Sequence, residues 1–424
     1  MTWVAFYSLW LFVFTLPWER LVSLPGLYIV SRATGALSLG LTLFAVVMTG
    51  RLRRWRAYQV AAFLFVIWAG VSVWISGIPQ IPQKYWTFVQ LFAVIFMMWQ
   101  LAPTPDRVRR LLEAFALGGF VPAFATIGLF IQSHGSLRRF SAAGADPNSL
   151  AMTLALVMPI AWYLSLTTER PLRRWIYRSY IPIGLFATAL SASRGGLIAW
   201  VVALTIIPLT MKLSPGRLAA VMAMMAVSAV ILATYVPENI VERLGTTGSS
   251  LGSSVQGGGL GGRVRFWIAG FHAFSYKPLA GYGTGGFIRA ITPELGAAAL
   301  VAHNSFISVL VEEGLIGLLL YCAMLLAVLR DLLDLPSLER RFALVQFATL
   351  GTALLPLTWE DQKSAWYVMA ILVGMVVYKG MRRPAAPVRP IPARAVPLSR
   401  RPGGAPAVAR TRTLPPDAEG NPSP

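Results

Sequence analysis

Cysteine, histidine and acidic residues are all scarce in this chain, and each shortage closes off a class of protein. The lone cysteine, Cys322, allows no intrachain disulfide even on the oxidising side of a membrane, and it sits in an apolar run as inert packing. The three histidines, His134, His272 and His303, have no thiol or carboxylate companions at metal-ligand spacing, so neither a metal site nor a cofactor is expected. There is no Walker-type phosphate loop, no GxGxxG unit after a strand and no internal repeat, which argues against a nucleotide-driven pump. Only 13% of the 424 residues are charged, while 56% are hydrophobic and the mean hydropathy is +0.62, a composition that belongs mostly in lipid.

Long apolar runs fill the chain instead. A backbone crosses a bilayer only as helices or as a closed barrel, and runs of about 20 residues without period-2 alternation are helices, not barrel strands. About twelve spans are expected by that length criterion, centred near Leu9, Leu39, Phe65, Val94, Phe120, Val157, Phe186, Leu204, Val227, Leu318, Leu350 and Leu372. The segment Trp3 to Leu16 is short, but it lacks the basic start and cleavage site of a secretory signal and is counted as a span. The expected class is therefore an all-α integral membrane protein. Its first nine spans occupy residues 1–236, a large polar loop 237–303, the last three spans 304–380, and a basic tail 381–424.

Lys and Arg divide unevenly between the short connections. Sixteen, from Arg51 to Arg341, follow even-numbered spans, and seven, among them Arg32, Lys84, Arg138, Arg139 and Arg194, lie on the other side. The richer side is cytoplasmic by the positive-inside rule, which places both termini in the cytoplasm and the polar loop outside it. The stretch from Lys379 to Pro424 mixes nine Lys and Arg with Pro and Ala without apolar period. Such a segment is expected to be disordered and to bind anionic membrane lipids, not nucleic acid. The net charge of +20 is thereby mostly membrane electrostatics.

The polar, Gly/Ser-rich loop is too long for an idle connection, and chemistry-bearing residues gather at its ends. Arg194 lies in Ser191-Ala-Ser-Arg-Gly-Gly196, and Arg263 and Arg265 follow the Gly257–Gly262 run. An arginine at a membrane boundary serves as a snorkelling anchor or, through its forked guanidinium, as a phosphate ligand. His303 stands at the start of an apolar run beside Asn304-Ser305, a helix N-cap signal, and a neutral imidazole there suits a general base. Asp146 and Asn148 in Asp-Pro-Asn read either as a turn and helix start or as sugar ligands. Trp267 and Tyr282 are candidate stacking residues. Glu312 and Glu313 fall inside the tenth span, where carboxylates are costly unless paired or facing a cavity, and Arg194 is a candidate partner for one of them.

Taken in order, Gly144-Ala-Asp-Pro-Asn148, Ser193-Arg-Gly-Gly196, Arg263 to Trp267, Pro278-Leu-Ala-Gly-Tyr-Gly283 and His303-Asn-Ser-Phe306 through Glu313-Gly-Leu-Ile-Gly317 resemble the O-antigen ligases and related membrane polymerases that use lipid-linked glycans. The resemblance covers roughly residues 143–321 and implies a GT-C-like membrane glycosyltransferase with short helices in its large periplasmic loop. It implies a Gram-negative inner membrane location and transfer of O-antigen from undecaprenyl pyrophosphate to lipid A–core oligosaccharide. It also implies an essential histidine at His303 and phosphate-binding arginines at Arg194 and at Arg263 or Arg265, without a metal. Asn304, Asp146, Asn148, Arg138, Arg139, Trp267 and Tyr282 complete the set of candidate substrate contacts.

Three alternatives stand beside this one. An O-antigen polymerase is expected to use two Arg-bearing external loops, and Arg138 and Arg139 keep that reading open although their loop is short. A protein-glycosylating oligosaccharyltransferase often carries a further domain where this chain has its basic tail. A transporter is expected to show inverted repeats and broken helices, and no such pair of segments is apparent.

Overall fold

A computed structural model describes residues 2–19, 27–137, 139–142, 145–211, 216 and 260–379. The expected span around Val227, the loop as far as residue 259, the tail from 380 and Arg138 lie outside these residues.

Among the described residues there are helices and no strand. In chain order they are α1 (Thr2–Thr15), α2 (Leu27–Thr49), α3 (Ala57–Ile75), α4 (Gln83–Leu101), α5 (Pro105–Gln132), α6 (Pro147–Thr167), α7 (Pro171–Leu190), α8 (Arg194–Leu204), α9 (Ile206–Thr210), α10 (Leu260–Tyr276), α11 (Phe287–Leu295), α12 (Ser305–Leu333), α13 (Ser337–Leu354) and α14 (Lys363–Gly374). Five are long and apolar enough to cross a membrane: Val30–Thr49 of α2, α3, α5, α6 and α12. Eleven of the twelve expected span centres fall within helices, the twelfth being Val227. The described part of the polar loop is helical too, in α10 and α11.

α6 is the axis of the bundle. It packs against α5, α7, α8 and α13, and almost all of it from Leu150 to Ser165 is buried. Being apolar on every face, it has no side that needs water and suits this enclosed place. Gly119 on α5 lets it close in, since a Cβ there would meet Val157 of α6 at 2.7 Å. Aromatic pairs fix the outer contacts: Phe115 stacks on Tyr367 with centroids 4.3 Å apart, and Tyr163 on Phe342 at 4.5 Å.

α12 runs antiparallel to α3. Arg56, just before α3, forms a two-pronged ion pair with Asp331 near the end of α12, with Nε to Oδ2 at 3.0 Å and Nη2 to Oδ1 at 2.5 Å. At the opposite end, the Trp68 indole of α3 donates to the Glu313 carbonyl at 2.8 Å, and Ser72 Oγ donates to the Glu312 carbonyl at 3.0 Å.

α12 is broken near its start. Gly314 has φ +70° and ψ −170°, a conformation in which only glycine is comfortable. The strip Pro278–Gly286 docks into the break: Leu315 N–H donates to Pro278 O at 2.8 Å, Tyr282 N–H to Val311 O at 3.0 Å and Gly283 N–H to Glu312 O at 2.8 Å. Backbone groups freed by the break are thus satisfied inside the protein, as a low-dielectric setting demands. A small second core of Phe266, Ala269, Ala273, Phe287, Ile291, Ala302 and Val311 holds α10 and α11 on the first half of α12.

Candidate active site

Three helix starts meet at one end of the bundle, each capped by a short polar side chain. Asp146 caps α6, its Oδ1 accepting from Asn148 N at 3.1 Å and Ser149 N at 2.8 Å. Ser193 caps α8 by accepting from Gly196 N at 3.2 Å. Asn304 caps α12, its Oδ1 accepting from Phe306 N at 2.9 Å and Ile307 N at 3.1 Å. These caps satisfy backbone donors that the first helical turns leave open. The first turns of α6 and α8 touch, for a Cβ on Gly196 would lie 2.3 Å from Ala151 Cβ.

A strap between α13 and α14 ties these starts together. Thr358 Oγ1 accepts from His303 N–H at 3.0 Å, and Ser305 Oγ donates to Leu357 O at 2.9 Å while accepting from Trp359 N–H at 2.8 Å. The Trp359 indole reaches Ser149 Oγ at the start of α6, 3.2 Å away. From the loop helix α10, Arg263 Nη1 donates to Pro356 O at 3.2 Å, and the Trp267 indole donates to Ala302 O at 2.8 Å, just before His303.

His303 is half-buried and sits at φ +49°, an uncommon left-handed backbone for a residue with a side chain. Ala192, which likewise precedes a cap residue, sits at φ +50°. Burial, and then the Arg263 guanidinium, hold the His303 imidazole below its ordinary value of 6.5, with Asp146 pulling the other way. Burial also lowers the Arg263 guanidinium, again opposed by Asp146. His303, Arg263 and Asp146 therefore share one electrostatic neighbourhood, in which the imidazole is neutral at neutral pH.

The other sequence candidates divide. Arg265, two residues from Arg263, lies with its guanidinium 4.9 Å from the centroid of the Phe266 ring. The Nε atoms of both arginines are buried and have no hydrogen-bond partner among the described residues. Arg194 is the exposed first residue of α8, one position before Gly195, whose Cβ would stand 3.9 Å from Pro356 Cγ. Arg139 is a staple: its Nε donates to Ser191 O and its Nη2 to Asn148 Oδ1, both at 2.9 Å, so the Asn148 side chain is committed to it. Tyr282 lies in the strip that fills the α12 break, with the Lys277 ammonium 4.9 Å from its ring centroid.

Glu312 corrects an expectation, for its partner is Lys84 of α4 and not Arg194. Lys84 Nζ donates to Glu312 Oε2 at 2.8 Å, to Glu360 Oε1 at 2.5 Å and to Ser308 Oγ at 3.2 Å. The sequence reading missed this group and the strap. A lysine and three carboxylates set in or beside apolar runs were the available signal, since such charges must find one another. Among the described residues no group of three or more His, Cys, Asp or Glu is placed to hold a metal ion.

This fold and site define a multi-pass helical membrane protein with a polar, cation-bearing site where capped helix starts meet a helical loop. Residues 180–322, from α7 into α12, match the family model described as O-Antigen ligase, a similarity that covers about a third of the chain. That family is one of glycosyl-transfer enzymes acting on polysaccharide and lipid-linked substrates. The chain matches no curated protein. The matched segment holds Arg194, Arg263, Arg265, Trp267, Tyr282, His303 and Asn304, whereas Asp146, Lys84 and the strap lie outside it.

Proposed function

We propose that this protein transfers O-antigen polysaccharide from undecaprenyl pyrophosphate to lipid A–core oligosaccharide on the periplasmic face of a Gram-negative inner membrane. In this reading the chain crosses the membrane about twelve times, by the roughly 20-residue span criterion, with both termini cytoplasmic. The observation that carries it is the meeting of His303, Arg263 and Asp146 at the joined helix starts, within and beside the segment that matches the ligase family.

The chemistry follows from what the substrates need. The anomeric carbon already bears pyrophosphate, a good leaving group, so the enzyme has little need of a general acid. His303, kept neutral by burial and by Arg263, takes the proton from the acceptor hydroxyl. The acceptor oxygen forms its bond to the anomeric carbon as the carbon–phosphate oxygen bond breaks, and the electron pair leaves on undecaprenyl pyrophosphate. Direct displacement inverts the anomeric centre. Arg263, with an unpartnered buried Nε, and Arg194 at the start of α8 neutralise the departing charge. Base catalysis of this kind is typically worth about 10²–10⁴ in rate, and one well-placed donor about 3 kcal/mol.

The test is reconstitution of the full chain in proteoliposomes with undecaprenyl-pyrophosphate glycan and lipid A–core under EDTA, beside His303→Ala. Capped lipopolysaccharide from wild type alone supports the ligase and its base. Longer glycan left on the carrier makes the protein a polymerase instead, and neither product turns attention to protein glycosylation or transport.

A further inference from the structure

We propose that Lys84 is a positioning residue for this site, setting the placement of Arg263 against His303 without touching either. The inference rests on the glycosyl-transfer reading above. Lys84 opens α4, remote in sequence from the candidate catalytic residues and outside the family-matched segment.

Its ammonium has three N–H donors and finds three acceptors, Glu312 Oε2, Glu360 Oε1 and Ser308 Oγ. Each acceptor belongs to a segment that builds the site. Ser308 and Glu312 lie on the first half of α12, the short helix that begins at Asn304 directly after His303. Glu360 lies on the strap, two residues after Thr358, which takes the His303 N–H, and four after Pro356, which takes Arg263. Glu312 also accepts from Gly285 N–H at 2.8 Å and Phe287 N–H at 3.4 Å, which fixes the loop that carries α10 and therefore Arg263. A single cation thus joins half-helix, strap and loop.

The group is not explained by stability alone. Glu312 and Glu360 are 4% and 0% exposed and Lys84 is 14% exposed. A buried charge cluster of this kind is often no more stable than apolar packing of the same volume. What apolar packing would not reproduce is a directional link among three segments.

The test compares the full chain in proteoliposomes as wild type, Lys84→Met and Lys84→Met/Glu312→Gln. The double variant removes one charge of each sign and guards against simple misfolding. With wild-type transfer established, kcat is expected to fall about 100-fold in both variants, the loss typical of a displacement near 1 Å, while KM for the lipid-linked donor changes little. The second readout needs no turnover: the pH dependence of diethyl pyrocarbonate acylation of His303 in a His134→Gln/His272→Gln background. As Arg263 moves off, the His303 midpoint is expected to rise toward the ordinary imidazole value, while Asp146, the other charge facing it, stays in place. Wild-type kcat in the double variant, or a reduced kcat with an unmoved acylation midpoint, would overturn the proposal. If wild type itself transfers no glycan, the functional reading fails, and the acylation midpoint still decides whether Lys84 sets the Arg263–His303 arrangement.

Discussion

Substituting Gly314 by alanine should unseat the loop from α12, and the size of the effect follows from the geometry. At φ +70° and ψ −170° an alanine carries about 1–3 kcal/mol of backbone strain. Its Cβ would lie 2.2 Å from Leu279 O and 2.7 Å from Ala280 N, both backbone atoms that cannot rotate aside. The strip must retreat, weakening the three backbone hydrogen bonds from Leu315, Tyr282 and Gly283 that seat it. At about 1 kcal/mol for each bond and with the strain added, the loss is on the order of 4–6 kcal/mol. Gly351→Ala is the control: Gly351 lies inside α13 at an ordinary helical φ with nothing within 4 Å of the added methyl, and should stabilise by about 0.4–1 kcal/mol. Denaturant unfolding of both variants in mixed micelles, read against wild type, measures the difference. Because the retreating strip also carries Gly285 off Glu312, glycan transfer by Gly314→Ala should fall more steeply than by any equally destabilised variant remote from the loop. A Gly314→Ala protein within about 0.5 kcal/mol of wild type, as an unremarkable surface change would be, refutes the reasoning.

Three further outcomes are expected. Arg263→Ala should lower kcat for transfer by about 10²–10³, the usual loss of one transition-state donor, and Arg265→Ala by much less; equal losses in a proteoliposome assay would show that the two arginines share the role. Asn304→Ala should cost about 1 kcal/mol through loss of the α12 cap, measured by denaturant unfolding, whereas Asn304→Asp should not. In the pH dependence of kcat/KM, the acid limb belongs to His303 and should lie below 6.5, with activity gained as pH rises through it. Asp146→Asn keeps a good helix cap while removing the carboxylate that favours the imidazolium, so it should move that limb further down; a rise would contradict the assignment.

How much of this was legible in the sequence depended on the range of the interaction. Helices were written in apolar runs, and every expected span centre that the structure describes lies in one. The caps were local as well, since Asp146, Ser193 and Asn304 each bind backbone within three residues. Which arginine faces His303 was not local. Residues two apart on a helix point about 200° from each other, so one of Arg263 and Arg265 had to turn away, but helix phase is silent without the wall it packs on. Pro356 is that wall, 93 residues on, and nothing in Pro-Leu-Thr-Trp marks it as a partner. The same holds for Glu312, for which the motifs offered Arg194 as a candidate partner but whose partner in space is Lys84, 228 residues away. In lipid, though, a buried carboxylate has few ways to be satisfied. A cation set at the mouth of a span is therefore more informative than its neighbours in sequence, and Lys84 was the cation to ask about once Glu312 and Glu360 were seen to need one.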